Sequence, residues 1–126
     1  MHRILLRTIV VDAPSDVHDR TRDFWSAALN AQPRRGINYP EYHVLEHPAA
    51  LGPVMVQDVG TASPRFHLDI ESDDVPAEVA RLTAAGAGEV ERHDDWVVLR
   101  DPAGLLFCVV PGEGAEFDAQ AVTVVG

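Results

Sequence analysis

The same order of landmarks occurs twice in this chain of 126 residues. A β-branched and aliphatic run at 4–11 is followed by a helix signal that begins at 15–16. In the second half, the run at 65–70 is followed by a helix signal that begins at 73–74. Short apolar runs then follow each helix signal. A period of about half the chain is too long for a solenoid, so it indicates an internal duplication of a strand, a helix and about three further strands.

Short turns separate the later strands of each half. The turn sequences are His-Pro-Ala-Ala at 47–50 and Asp-Pro-Ala-Gly at 101–104. Strands joined by short turns are antiparallel neighbours, so each half predicts antiparallel strands with one helix on the outer face. Two such units form an α+β domain with a curled, cup-like mixed or antiparallel sheet and the helices outside. The predicted later strands are 42–45 and 53–59 in the first half and 96–99 and 105–110 in the second, and 31–40 predicts a short edge strand and a loop.

Each helix signal has an apolar face. At helical spacing, the second helix places Val75, Val79 and Leu82 on one side, and an aspartate caps its start. Beyond the last predicted strand, 113–118 is expected to be solvated, and 121–125 to form a terminal strand or an arm on a partner subunit. The buried face of the first helix is predicted to consist of Val17, Thr21, Phe24, Ala28 and Leu29.

The strand at 65–70 has one polar face. Successive strand residues point to opposite sides, so Arg65, His67 and Asp69 share a face and the apolar residues take the other. A histidine in this position can be a substrate contact in a cleft, a metal ligand or a buried side chain bonded to a neighbour. The flanking arginine and aspartate favour the cleft.

Composition limits the classes of partner. The formal net charge is −10, and the basic residues are scattered apart from Arg34 and Arg35. This negative charge argues against nucleic acid or an anionic membrane surface as a binding partner. The single cysteine excludes an intrachain disulfide and fits a reducing compartment. The N-terminal residues lack signal-peptide features, and no apolar run approaches the ~20 residues that span a bilayer. These features predict a soluble, cytoplasmic protein.

Several of these motifs resemble one known family. They are the polar strand and aspartate cap at 66–74, Ala-Ala-Gly-Ala at 84–87, the two strands and Asp-Pro-Ala-Gly turn within 96–109, Val-Asp-Ala-Pro at 11–14 and Asp-Phe-Trp-Ser-Ala-Ala-Leu at 23–29. Over roughly 3–111 the chain resembles the glyoxalase-like domains of the vicinal oxygen chelate superfamily, which also contains bleomycin-resistance proteins and extradiol dioxygenases. The resemblance implies paired βαβββ modules, a small organic ligand in the cup and a homodimer.

The resemblance also implies how the chain is divided. A single glyoxalase-like domain is expected over 1–126. Module one is expected at about 3–59 and module two at about 65–111, followed by a C-terminal tail at 112–126.

Metal-dependent members of the superfamily bind their ion with four residues. The resemblance carries these positions onto Arg7, Gln57, His67 and Cys108, and only His67 matches the ligand pattern. Arg7 is a permanent cation that repels a divalent ion, and Gln57 offers a weak, neutral carbonyl oxygen. Cys108 replaces a hard carboxylate within a very apolar strand. A catalytic metal normally has about three protein ligands, so we predict no metal site and no cofactor.

These residues nevertheless define a candidate site. His67 is the candidate catalytic residue, acting as an acid–base group. Arg7 either anchors an anionic group or pairs with Asp69 or Glu71. The candidate substrate-binding residues are Arg7, Gln57, His67, Trp96 and Cys108. Two further histidines flank the first turn without a matching partner and are expected at the surface, His43 and His47.

The sequence is compatible with three functions. The first is a glyoxalase-like protein that binds a small organic molecule without the usual metal centre, as a binding or resistance protein or as a metal-independent enzyme. The alternative is a metal-dependent lyase, isomerase or dioxygenase whose remodelled ligand set recruits Asp69, Glu71 or Cys108. The third is a purely structural dimer module whose cup is filled by its own side chains. The sequence does not identify a substrate.

Overall fold

A computed structural model describes residues 1–29, 31–46 and 53–125 of the chain. The described part contains nine strands and three helices. In chain order they are β1 (His2–Ala13), α1 (His18–Leu29), β2 (Gln32–Arg35), β3 (Tyr42–Glu46), β4 (Val54–Asp58), β5 (Arg65–Ser72), α2 (Val75–Ala85), β6 (Gly88–Arg92), β7 (Val97–Arg100), β8 (Leu106–Pro111), α3 (Ala115–Gln120) and β9 (Val122–Val124).

The order of these elements confirms the duplication. Strand β1, helix α1 and strands β2 to β4 form one βαβββ series, and β5, α2 and β6 to β8 form a second. The predicted α+β class is therefore confirmed. The chain divides into two compact units, called here the first unit (Thr8–His67) and the second unit (Met1–Arg7 with Leu68–Gly126). The single domain expected from the sequence stays a prediction.

In the first unit, the strands follow the order β2-β3-β4-β1. Strand β3 is antiparallel to both β2 and β4, as expected for neighbours in sequence. Strand β1 instead runs parallel to β4, with Ile9 opposite Val54 and Asp12 opposite Gln57. This pair is parallel because β4 returns beside β1 after a crossover that contains α1 rather than after a short turn. The strands are therefore paired in the mixed way that the predicted fold class allowed.

The buried cluster of the first unit lies on one side of these strands. Its members are Val11, Ala13, Ala31, Leu45, Val54 and Val56. Helix α1 contacts β2, β3 and β4, and we call the side that carries the cluster the helix side. Because side chains alternate along a strand, Asp12 and Gln57 point to the opposite side. The expected turn at 47–50 lies outside the described residues.

The predicted buried face of α1 is wrong at Phe24, and the predicted positions Ala28 and Leu29 lie outside the residues whose side chains the structure describes. Phe24 is 62 % exposed, whereas His18 is buried. The helix begins at His18 and not at Ser15 or Asp16. The hydroxyl of Ser15 donates to the carboxylate of Asp58 rather than capping the helix. A helical hydrogen bond runs from the N–H of Thr21 to the carbonyl of Val17, so the helix starts only one or two residues later than predicted.

The second unit follows the same plan, with the strand order β5-β8-β7-β6. Strand β5 is parallel to β8, while β7 is antiparallel to both β6 and β8. The carboxylate of Asp74 accepts from the backbone N–H of Ala77, which confirms the predicted aspartate cap of α2. The predicted apolar face is also confirmed, since Val75, Val79 and Leu82 pack with the buried residues of β7 and β8.

The C-terminal segment is packed within the second unit. Residues 113–118 were expected to be solvated, but α3 begins at Ala115 and its Phe117 is 1 % exposed. The guanidinium of Arg3 lies 5.0 Å from the centre of the Phe117 ring. Strand β9 pairs antiparallel with the first residues of β1, which confirms the expected terminal strand. None of the described helices is long and apolar enough to cross a bilayer.

Candidate functional site

A buried carboxylate–imidazole pair joins β1 to β5 within the first unit. Nδ1 of His67 lies 2.8 Å from Oδ2 of Asp12, and the side chains are 8 % and 1 % exposed. An ionised carboxylate can only accept a hydrogen bond, so Nδ1 carries the proton and Nε2 is the basic nitrogen. The pair therefore fixes both the tautomer and the orientation of the imidazole.

Asp12 has a second partner on the same strand as His67. Nε of Arg65 donates to Oδ2 of Asp12 over 3.2 Å, and the arginine side chain is about half exposed. The other carboxylate oxygen, Oδ1, is buried and has no hydrogen-bond partner among the described residues. An unsatisfied buried acceptor costs about 1–3 kcal/mol. The burial of Asp12 is therefore costly for stability, which is more typical of a functional position than of a structural one.

Two of the predicted site residues, His67 and Gln57, are neighbours of Asp12. Gln57 on β4 is half-buried and lies directly opposite Asp12 in the parallel ladder. Residues opposite each other in register share a face, so Gln57, Asp12 and His67 lie on the side away from the buried cluster. We call this surface of the first unit the Asp12 face.

Sequence reasoning missed Asp12 as a site residue. One signal was available, because Asp12 is an aspartate between Val11 and Ala13 at the end of an apolar strand. A charge in that setting requires a partner. The partner, however, is 55 positions away, so the sequence alone could not identify it.

Arg7 belongs to the second unit, where it forms an ion pair with Glu116. The carboxyl group of Glu71 also lies in its electrostatic environment. Burial raises the pKa of Glu71, as do Asp69 and Glu116, while Arg7 lowers it. Of the expected roles, pairing with a carboxylate is therefore the one observed, but the described ion pair is with Glu116 on α3 rather than with Asp69 or Glu71.

Cys108 and Trp96 also lie in the second unit. Cys108 is buried on β8, directly opposite Asp69 in the parallel ladder with β5. Trp96 comes immediately before β7 and is half-buried. Its ring stacks on the imidazole of His93, with 3.7 Å between ring centres and 13° between planes. One face of the indole is therefore covered by the protein's own histidine, and a ligand contact at Trp96 stays a prediction.

His43 is not the surface residue that the sequence predicted. It is half-buried on β3, and its Nδ1 atom is buried. Burial lowers the pKa of His43, and the nearby His18, Arg22 and Arg35 lower it further. His47 lies outside the described residues.

Comparison with known proteins identifies a family over most of the chain. Residues 8–110 match the family model of the glyoxalase-like domain. None of the proteins with curated functions gives a significant match.

Solved structures share the fold at low sequence identity. A hypothetical protein from Bacillus halodurans C-125 superposes with a TM-score of 0.63 at 9% identity, over 89% of this chain and 96% of that one. A structure titled NAD-dependent benzaldehyde dehydrogenase from Legionella pneumophila gives 0.62 at 10% identity, over 84% and 98%. Methylmalonyl-CoA epimerase from Mycobacterium tuberculosis gives 0.56 at 14% identity, over 91% of each chain. At these identities, the likeness concerns the fold alone.

Proposed function

Because this chain belongs to the family of glyoxalase-like domains of the vicinal oxygen chelate superfamily, we propose that it binds a small organic molecule on the Asp12 face, without the metal centre of its metal-dependent relatives. The observation that carries this proposal is the buried hydrogen bond of 2.8 Å between His67 and Asp12. The ligand contacts are His67 and Gln57, and Asp12 and Arg65 position the imidazole.

The pair suits proton transfer. With Nδ1 donating to Asp12, Nε2 of His67 is the atom that accepts a proton from a bound molecule and returns it. The carboxylate of Asp12 stabilises the imidazolium that forms, while Arg65 limits the negative charge at that carboxylate. If the protein is an enzyme, its chemistry is therefore removal or return of a proton. If it is a binding or resistance protein, the same atoms orient a polar ligand.

The residues at the usual ligand positions support the absence of the family's metal centre. Arg7 carries a permanent positive charge and is paired with Glu116, so it offers no lone pair to an ion. Gln57 supplies only a neutral amide oxygen. Of the four usual positions, only His67 and Cys108 then remain, fewer than the about three protein ligands that a catalytic metal normally requires.

A metal-dependent lyase, isomerase or dioxygenase is the second candidate, and one observation favours it. Histidines that bind metals commonly donate their other ring N–H to a carboxylate, and His67 donates Nδ1–H to Asp12 in this way. In this candidate Nε2 of His67 is a metal ligand rather than a proton acceptor.

One experiment separates these candidates. The full chain, stripped of metal with a chelator, is screened by thermal shift against a library of small organic acids, ketones and aromatic compounds. His67→Gln is the test variant. His93→Gln, which replaces the histidine that stacks on Trp96, is the matched control. We expect compounds that stabilise the metal-free wild type and the control but not His67→Gln.

The outcomes are distinct. Stabilisation that requires a divalent metal and is lost in His67→Gln favours the metal-dependent candidate. If no compound stabilises the wild type with or without metal, the structural dimer module is favoured and the proposal is wrong.

Two further properties are proposed from the family and the composition. A homodimer is expected, and the exposed Phe66 and Leu68 on β5 provide apolar surface that a partner subunit would cover. Light scattering at several concentrations measures this directly, and a monomer throughout would contradict it. The cytoplasmic location stays a prediction from the single cysteine and the acidic composition.

A further inference from the structure

A polar cavity of about 530 Å³ lies in the first unit, away from the Asp12 face. It is bounded by the start of α1, the strands β2 and β3 and the end of β4. Two of its lining residues, His43 and Asp58, lie two positions from Leu45 and Val56 of the buried cluster, so the cavity is on the helix side. Its volume is in the range of sites for small organic molecules.

The floor of the cavity carries two rows of side chains. Arg35 on β2 lies directly opposite His43 on β3, and both line the cavity. Glu41 lies two positions before His43, and its carbonyl accepts from the backbone N–H of Asp58, so these two residues form the next row on the same face. Residues two positions apart along a strand are separated by about 7 Å. A guanidinium group and two carboxylates therefore lie in neighbouring rows of one polar surface.

Arg35 supplies the group that binds an anion. Its Nε donates to the carbonyl of Pro40 over 3.0 Å, which orients the guanidinium. Its two terminal nitrogens have no hydrogen-bond partner among the described residues. Their N–H groups form the planar fork that binds a carboxylate through two parallel hydrogen bonds. The second guanidinium of the lining, that of Arg22, already donates to Asp19 and Asp23.

Asp58 and Glu41 supply the opposite charge. Oδ1 of Asp58 accepts from the hydroxyl of Ser15 and from the backbone N–H of Gly60. These hydrogen bonds lower the pKa of Asp58, so its carboxylate is ionised at neutral pH. Oδ2 of Asp58 and the carboxylate of Glu41 have no hydrogen-bond partner in the part of the chain that the structure describes. These oxygens can accept hydrogen bonds from an ammonium group.

Two imidazoles in the lining each have a buried nitrogen. The ring centres of His18 and His43 are 5.1 Å apart, and His18 is only 5 % exposed. Nδ1 of His18 lies 3.2 Å from Oδ1 of Asp19, which can only accept, so Nε2 carries the lone pair.

Nε2 of His18 and Nδ1 of His43 have no hydrogen-bond partner among the residues that the structure describes. Buried polar atoms normally have a partner. Because the χ2 torsion of histidine is broad, a small rotation of either ring presents its nitrogen to the cavity. The two nitrogens therefore indicate a bound molecule that forms hydrogen bonds with them.

We propose that this cavity binds a small zwitterion of the amino-acid type, with its carboxylate on Arg35 and its ammonium group on Glu41 and Asp58. Each charge-assisted hydrogen bond spans about 2.8 Å, so two rows about 7 Å apart suit a molecule whose charged groups are separated by a few bonds.

A molecule of several atoms also fits the lining better than a single ion does. Within the described part of the chain, the ligand atoms of His18, His43 and Asp58 do not lie close enough to one another to hold one metal ion. The site is separate from His67, so the proposal does not rest on the function proposed for the Asp12 face.

The first test uses the wild-type chain and matched ligands. The standard amino acids are screened singly by thermal shift, and those that stabilise the protein are titrated by calorimetry. We expect one molecule to bind per chain. Its N-acetyl derivative lacks the ammonium charge and its amide lacks the carboxylate, and each should bind more weakly by about tenfold or more. If no amino acid binds, or if either derivative binds within about twofold of the parent, the proposal is wrong.

Variants then locate the bound molecule. Arg35→Gln and Asp58→Asn should each weaken binding by about tenfold or more, through loss of a charge-assisted contact. Arg34→Gln is the matched control, because Arg34 is the adjacent residue of β2, points to the other side of the sheet and pairs with Glu46. It should leave the affinity unchanged. Equal losses in Arg34→Gln and Arg35→Gln would contradict the assignment.

A third measurement does not depend on the variants folding. Long-range ¹⁵N–¹H NMR of the wild-type chain, titrated with the same amino acid, should show shifts of the ring nitrogens of His18 and His43 and unchanged signals for His67. Shifts confined to His67 would overturn the proposal. So would binding that is lost in His67→Gln and retained in Arg35→Gln, since it would place the molecule at the Asp12 face.

Discussion

Nδ1 of His67 donates to Oδ2 of Asp12 across 2.8 Å, and both side chains are buried. This contact joins β5 to β1 in the first unit and determines which imidazole nitrogen is basic. It is the relationship on which the proposed proton-transfer or ligand-orienting role rests.

Replacing Asp12 with asparagine tests that relationship directly. The substituted amide would carry no negative charge and would permit either tautomer, so the basic nitrogen would no longer be fixed at Nε2. We expect long-range ¹⁵N–¹H NMR to show a single Nδ1–H tautomer of His67 in the wild type and a mixture in Asp12→Asn. For a compound found by the thermal-shift screen, any proton-transfer rate should fall by about a hundredfold or more.

Arg65→Gln is the control for this variant, because the arginine is about half exposed and contacts the same carboxylate. It should retain the tautomer. An unchanged His67 tautomer in Asp12→Asn would show that the carboxylate does not set it.

A buried charge cluster in the second unit gives a stability prediction. Glu78 is fully buried and accepts from Arg81 at 2.7 and 2.8 Å, and His2 lies 2.5 Å away. Burial alone would raise the pKa of Glu78, but the hydrogen bonds from Arg81 and His2 outweigh it, and the net pKa is lowered. Glu78→Gln leaves its partners uncompensated, so we expect a loss of about 3–5 kcal/mol in urea unfolding.

The sign of the pH dependence follows from the lowered pKa of Glu78. Its stabilising contribution is present above the ordinary glutamate value and is lost as pH falls through the lower folded-state pKa. The difference between wild type and Glu78→Gln should therefore shrink in acid. The exposed pair of Glu89 and Arg92 provides the matched control, because Glu89→Gln should change stability by no more than about 1 kcal/mol. Equal losses in the two variants would contradict the prediction.

Local signals predicted much of the fold. The Asp74 cap and the apolar spacing of α2 both correspond to contacts in the structure, because each depends on residues within a few positions of one another. The repeated βαβββ order could also be predicted from the sequence, because turn residues mark the ends of each predicted strand.

Contacts between distant segments could not be predicted in the same way. The parallel pairing of β1 with β4 and the carboxylate partner of His67 depend on residues more than forty positions apart. Phe117 is one aromatic residue in an acidic segment, and its burial depends on a site made by Arg3 and Gly112. In each case the sequence shows the type of residue, but it does not show which distant residue contacts it and so determines its role.

The lowered pKa of His43 gives a second pH prediction. Burial is the main cause, and the nearby His18, Arg22 and Arg35 add to it, while Asp19 opposes it. The other charged groups that line the same cavity as His43 are Glu41 and Asp58. The folded state therefore favours neutral His43, and this stabilisation is complete above the ordinary histidine pKa and is lost as pH falls below it.

Urea unfolding in the presence of a chelator should show wild-type stability falling between about pH 7 and pH 5, with a shallower fall in His43→Gln. His93→Gln is the control and should follow the wild-type slope. Parallel slopes for the wild type and His43→Gln would contradict the assignment to His43.

The final prediction concerns Gly112, which comes directly after β8. A Cβ at this position would lie 2.5 Å from the Phe117 ring and 2.8 Å from Cβ of Glu71. Both neighbours belong to the packed second unit, so neither can move without disturbing α3 or β5. We expect Gly112→Ala to destabilise the protein by about 1–3 kcal/mol, as overpacking does in well-packed interiors.

Gly88 supplies the matched control, because a Cβ there meets no atom within 4 Å. Gly88→Ala in β6 should be neutral or slightly stabilising, by up to about 1 kcal/mol, since alanine reduces the freedom of the unfolded chain. Urea unfolding of both variants provides the measurement. If Gly112→Ala is as stable as Gly88→Ala, Phe117 is not held against Gly112 in solution. Phe117→Ala would then cost much less than the about 3–5 kcal/mol expected for a buried phenylalanine.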